Sequence, residues 1–153
     1  PGVAIEKALV GLPVGKGEIR RRGRDVALLA FGSMLTPALA AGEDIDASVA
    51  NMRFVKPIDR ELILALAAEH SLLVSVEENA VIGGAGSEVE RVLEEIASPT
   101  RLLRLGIPDH FIEHGDQALL LAEVGLDRDG IVAAVRARQN SIAAEQQSDP
   151  PTE

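Results

Sequence analysis

The run Val26–Phe31, VALLAF, most limits what this chain can fold into. Every residue in it is apolar, and Gly32 and Ser33 end it. A strand with one wet face alternates polar and apolar residues. A short unbroken apolar run instead fits a strand buried on both faces, as in a parallel sheet covered by helices.

The segments that follow supply such helices. MLTPALAAGED (34–44) reads as a helix with Pro37 in its first turn, where the missing N–H matters least. ASVANMRF (47–54) reads as a second strand. KPIDRELILALAAEH (56–70) reads as a helix capped by Asp59, with Leu62, Ile63, Leu66 and Ala67 on one stripe. SLLVSVEE (71–78) and TRLLRLGI (100–107) read as strands, with SEVERVLEEIA (87–97) as a helix between them. DQALLLAEVG (116–125) and DRDGIVAAVRARQ (127–139) read as two closing helices. Ahead of VALLAF, residues 12–22 predict a further extended run, with Gly23 at a turn. That hairpin-like opening can place an antiparallel strand at the sheet edge. Strands alternating with helices predict an α/β fold with a mainly parallel sheet covered on both faces. The expected domain covers residues 1–139. Residues 140–153, ending EQQSDPPTE, are expected to be a disordered polar tail.

Composition narrows the function classes. The formal net charge is −9, and aromatic residues are confined to three Phe. Both disfavour nucleic acid, which calls for basic patches and stacking platforms. The basic cluster Lys16–Arg24 reads as a solvated turn. With no cysteine, thiol catalysis, disulfides and cysteine-held zinc are excluded. No apolar run reaches the length of a membrane span and no signal peptide is visible, so a cytoplasmic protein with no membrane partner is expected. The chain opens on Pro1 rather than Met, which fits a piece of a longer polypeptide.

In such a sheet, function gathers beyond the carboxyl ends of the strands. Those ends carry Gly32 and Ser33, Met52 and Arg53, Glu77 and Glu78, and residues 106–109. The loop Gly83-Gly84-Ala85-Gly86-Ser87 follows a strand and opens a helix, the layout of many phosphate sites. It is only half a dinucleotide fingerprint, because Val89 stands where a third small residue belongs. It holds no Lys, and Glu77, Glu78, Glu88 and Glu90 flank it. A tight turn with close backbone packing is the favoured reading, with Ser87 as helix cap; a stand-alone small-anion or nucleotide-binding module is the alternative. HFIEH (110–114) matches the H-x-x-E-H zinc pattern, yet Pro108 and Gly115 suit a loop rather than the helix that pattern needs. Ser33 lacks a nucleophile elbow and reads as a helix cap. Arg53, a strand-end Arg beside the strand-end Glu77 and Glu78, fits a buried ion pair with one of them or an interface contact, and the sequence does not decide between these.

Particular strings go further. Met52-Arg53-Phe54-Val55-Lys56-Pro57 is followed by Asp59 and Glu61. Val76-Glu77-Glu78-Asn79 precedes Gly83–Ser87, and Gly106, Pro108-Asp109, Phe111-Ile112 and His114-Gly115 come later. With these, residues 3–138 resemble the C-terminal domain of the 1-deoxy-D-xylulose-5-phosphate synthase family, within the transketolase superfamily. Ile58 and Val81 stand where that family often has Leu and Met.

The resemblance implies a three-layer fold whose five-stranded sheet is mostly parallel with one antiparallel edge. It implies that the whole enzyme uses thiamine diphosphate and Mg²⁺ and works as a homodimer. It further implies that this domain is architectural, contacting the remaining domains of the same enzyme and the dimer partner. The family's G-D-G cofactor motif is absent here, so no catalytic, cofactor-binding or metal residue carries over. The isolated chain is expected to bind no cofactor and to be inactive. The residues expected to serve structure or interface are Arg53, Pro57, Asp59, Glu77, Glu78, Gly83, Gly84, Gly86, Ser87 and His114.

Overall fold

A computed structural model of the chain describes residues 11–148. It contains a 5-stranded sheet in the order β1-β3-β2-β4-β5. These strands are β1 (Glu18–Arg21), β2 (Val26–Ala30), β3 (Ser48–Asn51), β4 (Leu72–Ala80) and β5 (Arg101–Ile107). The helices are α1 (Leu35–Asp44), α2 (Arg60–Glu69), α3 (Ala85–Glu95), α4 (Gln117–Glu123) and α5 (Arg128–Ser148). β2, β3, β4 and β5 pair in parallel, and β1 joins β3 antiparallel at one edge.

β2 takes the central place its sequence demands, with all of its residues buried. Alternate residues along it face two separate cores. Val26, Leu28 and Ala30 meet Met34, Ala38 and Ala41 from the α1 side and Ile131 and Val135 from α5. Ala27 and Leu29 meet Ile63 and Leu66 of α2 and Val89 and Val92 of α3. The period-two alternation of a strand thus feeds both helix layers, giving the expected three-layer α/β architecture.

The opening differs from a hairpin. β1 and β2 are consecutive, but β3 lies between them in the sheet. Both flanks of β2 are taken by parallel partners, so β1 adds at the open side of β3 instead. Arg21 and Arg24 both pair with Asp46, at 2.9 Å each, and these pairs tie the β1–β2 connection to the start of β3.

α5 also runs past Gln139 to Ser148, where a disordered tail was expected. Ile142 packs on the core, and Glu145 pairs with Arg101 of β5 at 3.0 Å and with Arg138 at 3.3 Å. Ala, Gln and Glu are good helix formers, so those contacts extend a helix that composition alone left undecided. The remainder of the expected tail, 149–153, lies outside the described residues, as do residues 1–10.

Candidate functional site

The glycine loop leaves β4 at the carboxyl end of the sheet and opens α3. β4 buries Leu72 to Glu77, then exposes Glu78 to Ala80. Its pairing with β5 shifts register between Val76 and Ala80, an irregularity that lets the strand turn away. Gly83 has φ 73°, a left-handed conformation suited to glycine.

Glu77 decides what this loop does. It is fully buried, and both carboxylate oxygens point at the start of α3. Ala85 N–H donates to Oε2 at 2.6 Å and Gly86 N–H donates to Oε1 at 2.8 Å. Free N–H groups and the helix dipole make such a terminus an anion site. Here the anion is the protein's own carboxylate. Gly84 is needed because a Cβ there would meet Glu77 and would lie 2.5 Å from the Ala80 carbonyl oxygen.

Gly86 brings α3 close to the sheet: a Cβ on it would lie 2.5 Å from Ser75 Oγ and 3.1 Å from Arg104 Cγ. Val89, which breaks the dinucleotide fingerprint, is buried in the core one turn later. Ser87 does not cap the helix. Gly84 holds the cap position, and Ser87 Oγ accepts from Arg104 Nη1 at 3.2 Å while Arg104 pairs with Glu90 at 2.9 Å. Ser33 likewise makes no capping hydrogen bond.

Asp59 is buried and joins two segments. Its Oδ1 accepts from Leu62 N–H at 3.1 Å, capping α2, and its Oδ2 accepts from Gly17 N–H at 2.9 Å. Pro57 sits beneath the preceding turn: a Cβ on Gly15 would lie 2.9 Å from its Cγ. Lys16 reaches both Asp59, at 3.6 Å, and Glu61, at 2.5 Å. The bond to Glu61 is the main cause of the Lys16 ammonium being raised above its usual range.

Pro57, Gly83, Gly84 and Ser87 line one open groove of about 640 Å³, with Lys56 and Glu88 among its walls. Arg91 bonds Glu88 at 2.9 Å and holds its carboxyl below the usual range. A phosphate entering the groove would meet that carboxylate and the filled anion slot.

The other candidates lie elsewhere. Arg53 pairs with Glu18 of β1, not with Glu77 or Glu78. Its backbone is left-handed (φ 58°) and its N–H donates to Asn51 Oδ1 at 3.2 Å, which turns the side chain toward the edge strand. Glu78 is exposed and accepts from Gln117 Nε2 at 3.4 Å. His110 and His114 lie on an irregular segment between β5 and α4, not on the helix a zinc-peptidase pattern needs. Among the described residues no group of His, Asp and Glu is arranged to hold a metal ion. Glu18 and Arg104 were missed from sequence because their partners are distant in the chain.

Residues 15–131 match the family described as transketolase, C-terminal domain. A 1-deoxy-D-xylulose-5-phosphate synthase of Dechloromonas aromatica (strain RCB) is 66% identical over 139 residues, 91% of this chain and 22% of that protein. The synthase of Azoarcus sp. (strain BH72) is 64% identical over 136 residues, 89% of this chain and 22% of that protein. The chain therefore spans about a fifth (22%) of the length of these curated relatives. A solved chain described as split gene transketolase, inactive beta4 tetramer, is similar with a TM-score of 0.77 and 38% identity, covering 84% of this chain and 43% of that one. Sheet order, edge strand and sequence agree, and the chain belongs to the transketolase C-terminal domain family.

Proposed function

We propose that this chain is the C-terminal domain of a 1-deoxy-D-xylulose-5-phosphate synthase and that its role there is architectural. The carrying observation is identity of 66% and 64% to such synthases over about nine tenths of the chain. In this reading the whole enzyme condenses pyruvate with glyceraldehyde 3-phosphate, releases CO₂ and forms 1-deoxy-D-xylulose 5-phosphate, a precursor of isoprenoids, thiamine and pyridoxal phosphate. The partners are the other domains of that enzyme and a second subunit of a cytoplasmic homodimer. The cysteine-free composition agrees with a reducing compartment, and the net charge of −9 disfavours a nucleic-acid partner. Among the described residues no helix is long and apolar enough to cross a membrane.

Thiamine diphosphate and Mg²⁺ serve the reaction in the whole enzyme. The residues of this chain do not fit them. Glu77 fills the one glycine-loop anion slot, and the described carboxylates offer no metal-holding cluster. The same carboxylate removes the support for a stand-alone nucleotide-binding module.

The test is a graft. The matching segment of the Dechloromonas synthase is replaced by this chain, and product formation is measured. Turnover within about tenfold of the parent is expected, a difference of about 1.4 kcal/mol in barrier. A folded, dimeric graft with no turnover would count against the assignment.

A further inference from the structure

We propose that the carboxyl-end face of the sheet docks onto a surface of the remaining synthase polypeptide that is apolar at its centre and basic at its rim. The proposal rests on the synthase reading above.

Two depressions adjoin on this face, separated by the exposed end of β4. One is the glycine-loop groove, with Val55 (45% exposed) and Ile82 (67% exposed) on its walls. The other, about 280 Å³, is lined by apolar Ile107, Ile112, Leu120 and Leu121, with Glu78 and Glu113 among its walls. Beside it stands Phe111, one of three aromatic residues in the chain, with its side chain wholly in solvent. Large apolar groups held open around two depressions mark a contact surface rather than a finished exterior.

Charge selects the partner. Glu78, Asp109 and Glu113 form no ion pair among the described residues. Among the described residues Glu18, Asp46, Glu61 and Glu69, by contrast, pair with members of the Lys16–Arg24 cluster. Among the described residues, Lys56 and Arg136 are the only basic Lys or Arg side chains without an ion pair. A second copy meeting this face with its own would bring the acidic Glu78, Asp109 and Glu113 against like charges, with Lys56 in the glycine-loop groove as the unpaired cation of the face to answer them. A surface carrying Arg or Lys around an apolar patch satisfies both the rim and the centre.

The backbone provides the readout. Among the described residues, the N–H groups of Phe111, Ile112, Glu113 and His114 donate no hydrogen bond. On a bare face they exchange with solvent at unprotected rates. In the graft, hydrogen exchange at these amides is expected to slow by roughly tenfold or more. Glu78→Lys with Glu113→Lys is expected to abolish that slowing, while Glu43→Lys, exposed on α1, leaves it intact. These positions are solvent-facing, so the fold tolerates the changes. The unmodified Dechloromonas synthase, read at its aligned loop, gives the same test without a graft. Unprotected exchange in an active enzyme overturns the docking face and leaves the synthase reading standing. Protection in an enzyme without turnover supports the face and sinks the synthase reading. Protection that disappears on dilution to separate subunits assigns the face to a second copy and overturns the proposal.

Discussion

Gly86 donates its N–H to the buried carboxylate of Glu77 at 2.8 Å, across the bend that joins β4 to α3. Ala85 donates to the other oxygen, so the pair forms a bidentate cap made from the strand before the helix. Removing the carboxylate leaves two buried N–H groups without partners. Glu77→Ala is expected to cost about 3 kcal/mol in denaturant unfolding, near the top of the range for charge-assisted bonds. Glu77→Gln, which keeps one acceptor oxygen, is expected to cost about half as much. A loss below about 0.5 kcal/mol for the alanine variant would refute the cap.

A second expectation concerns the contact above that cap. Among the described residues Ser75 Oγ is buried and has no hydrogen-bond partner, and it fills the space where a Gly86 side chain would stand. Ser75→Ala removes an unsatisfied hydroxyl, so it is expected to be neutral or stabilising by up to about 1 kcal/mol. Gly86→Ala is expected to cost about 1–3 kcal/mol by overpacking. The double variant is expected to recover part of that loss, because the two sites share one space. Additive effects in a double-mutant cycle would show that the contact is not the cause.

The glycine loop was legible in the sequence as a tight turn between a strand and a helix. VALLAF made β2 central, and Asp59 was readable as a cap because an N-cap acts within its own helix. Glu77 as a cap was not readable, since it comes from the preceding strand rather than from a neighbouring residue of α3. The Arg53 partner was left open by the sequence for the same reason. Glu18 becomes its neighbour only because β1 pairs with β3, and local pattern does not set that pairing. The end of α5 was misplaced because weakly apolar composition hid Ile142, which packs on the core.

Asp59→Ala tests the link between the opening segment and α2. Loss of both accepted bonds is expected to cost about 2 kcal/mol. Faster amide exchange at Gly17 is expected to accompany it. Asp59→Asn keeps one acceptor oxygen for the cap and should restore about half of the stability. A Gly17 amide that exchanges no faster in the alanine variant would contradict the link.

Acid behaviour has a local origin at Asp46, whose carboxyl Arg21 and Arg24 hold below its ordinary 3.8. A lowered folded-state value means the contribution is fully present above about pH 4–5, near the unfolded value. It is lost as pH falls through the lower folded value. Asp46→Asn should therefore melt below the wild type at pH 7 by a constant margin down to about pH 5, and that margin should shrink below pH 4. Salt should reduce it, because the carboxyl is solvent-exposed. A margin that grows on acidification would show that the pairing is not what lowers the carboxyl.

His70 is buried between Leu66 and Ser48. Its Nδ1 lies 2.9 Å from the Leu66 carbonyl oxygen, which can only accept, so Nδ1 carries the proton. In the neutral ring Nε2 then accepts from Ser48 Oγ at 2.9 Å, while that hydroxyl accepts from Gly23 N–H at 2.9 Å. Nitrogen-15 shifts of the ring are expected to report the Nδ1–H tautomer at neutral pH, and an Nε2–H spectrum would contradict the network. Ser48→Ala is expected to cost about 1–3 kcal/mol by leaving Gly23 N–H and Nε2 unpaired.

Calorimetric titration of the folded chain with thiamine diphosphate and Mg²⁺ bears most directly on the central claim, that the glycine loop is closed by the protein's own carboxylate and serves architecture. The predicted result is no saturable heat at millimolar ligand, with inorganic phosphate equally silent. Saturable binding at micromolar concentration that Gly84 or Gly86 substitutions abolish would contradict the claim and return the loop to phosphate binding.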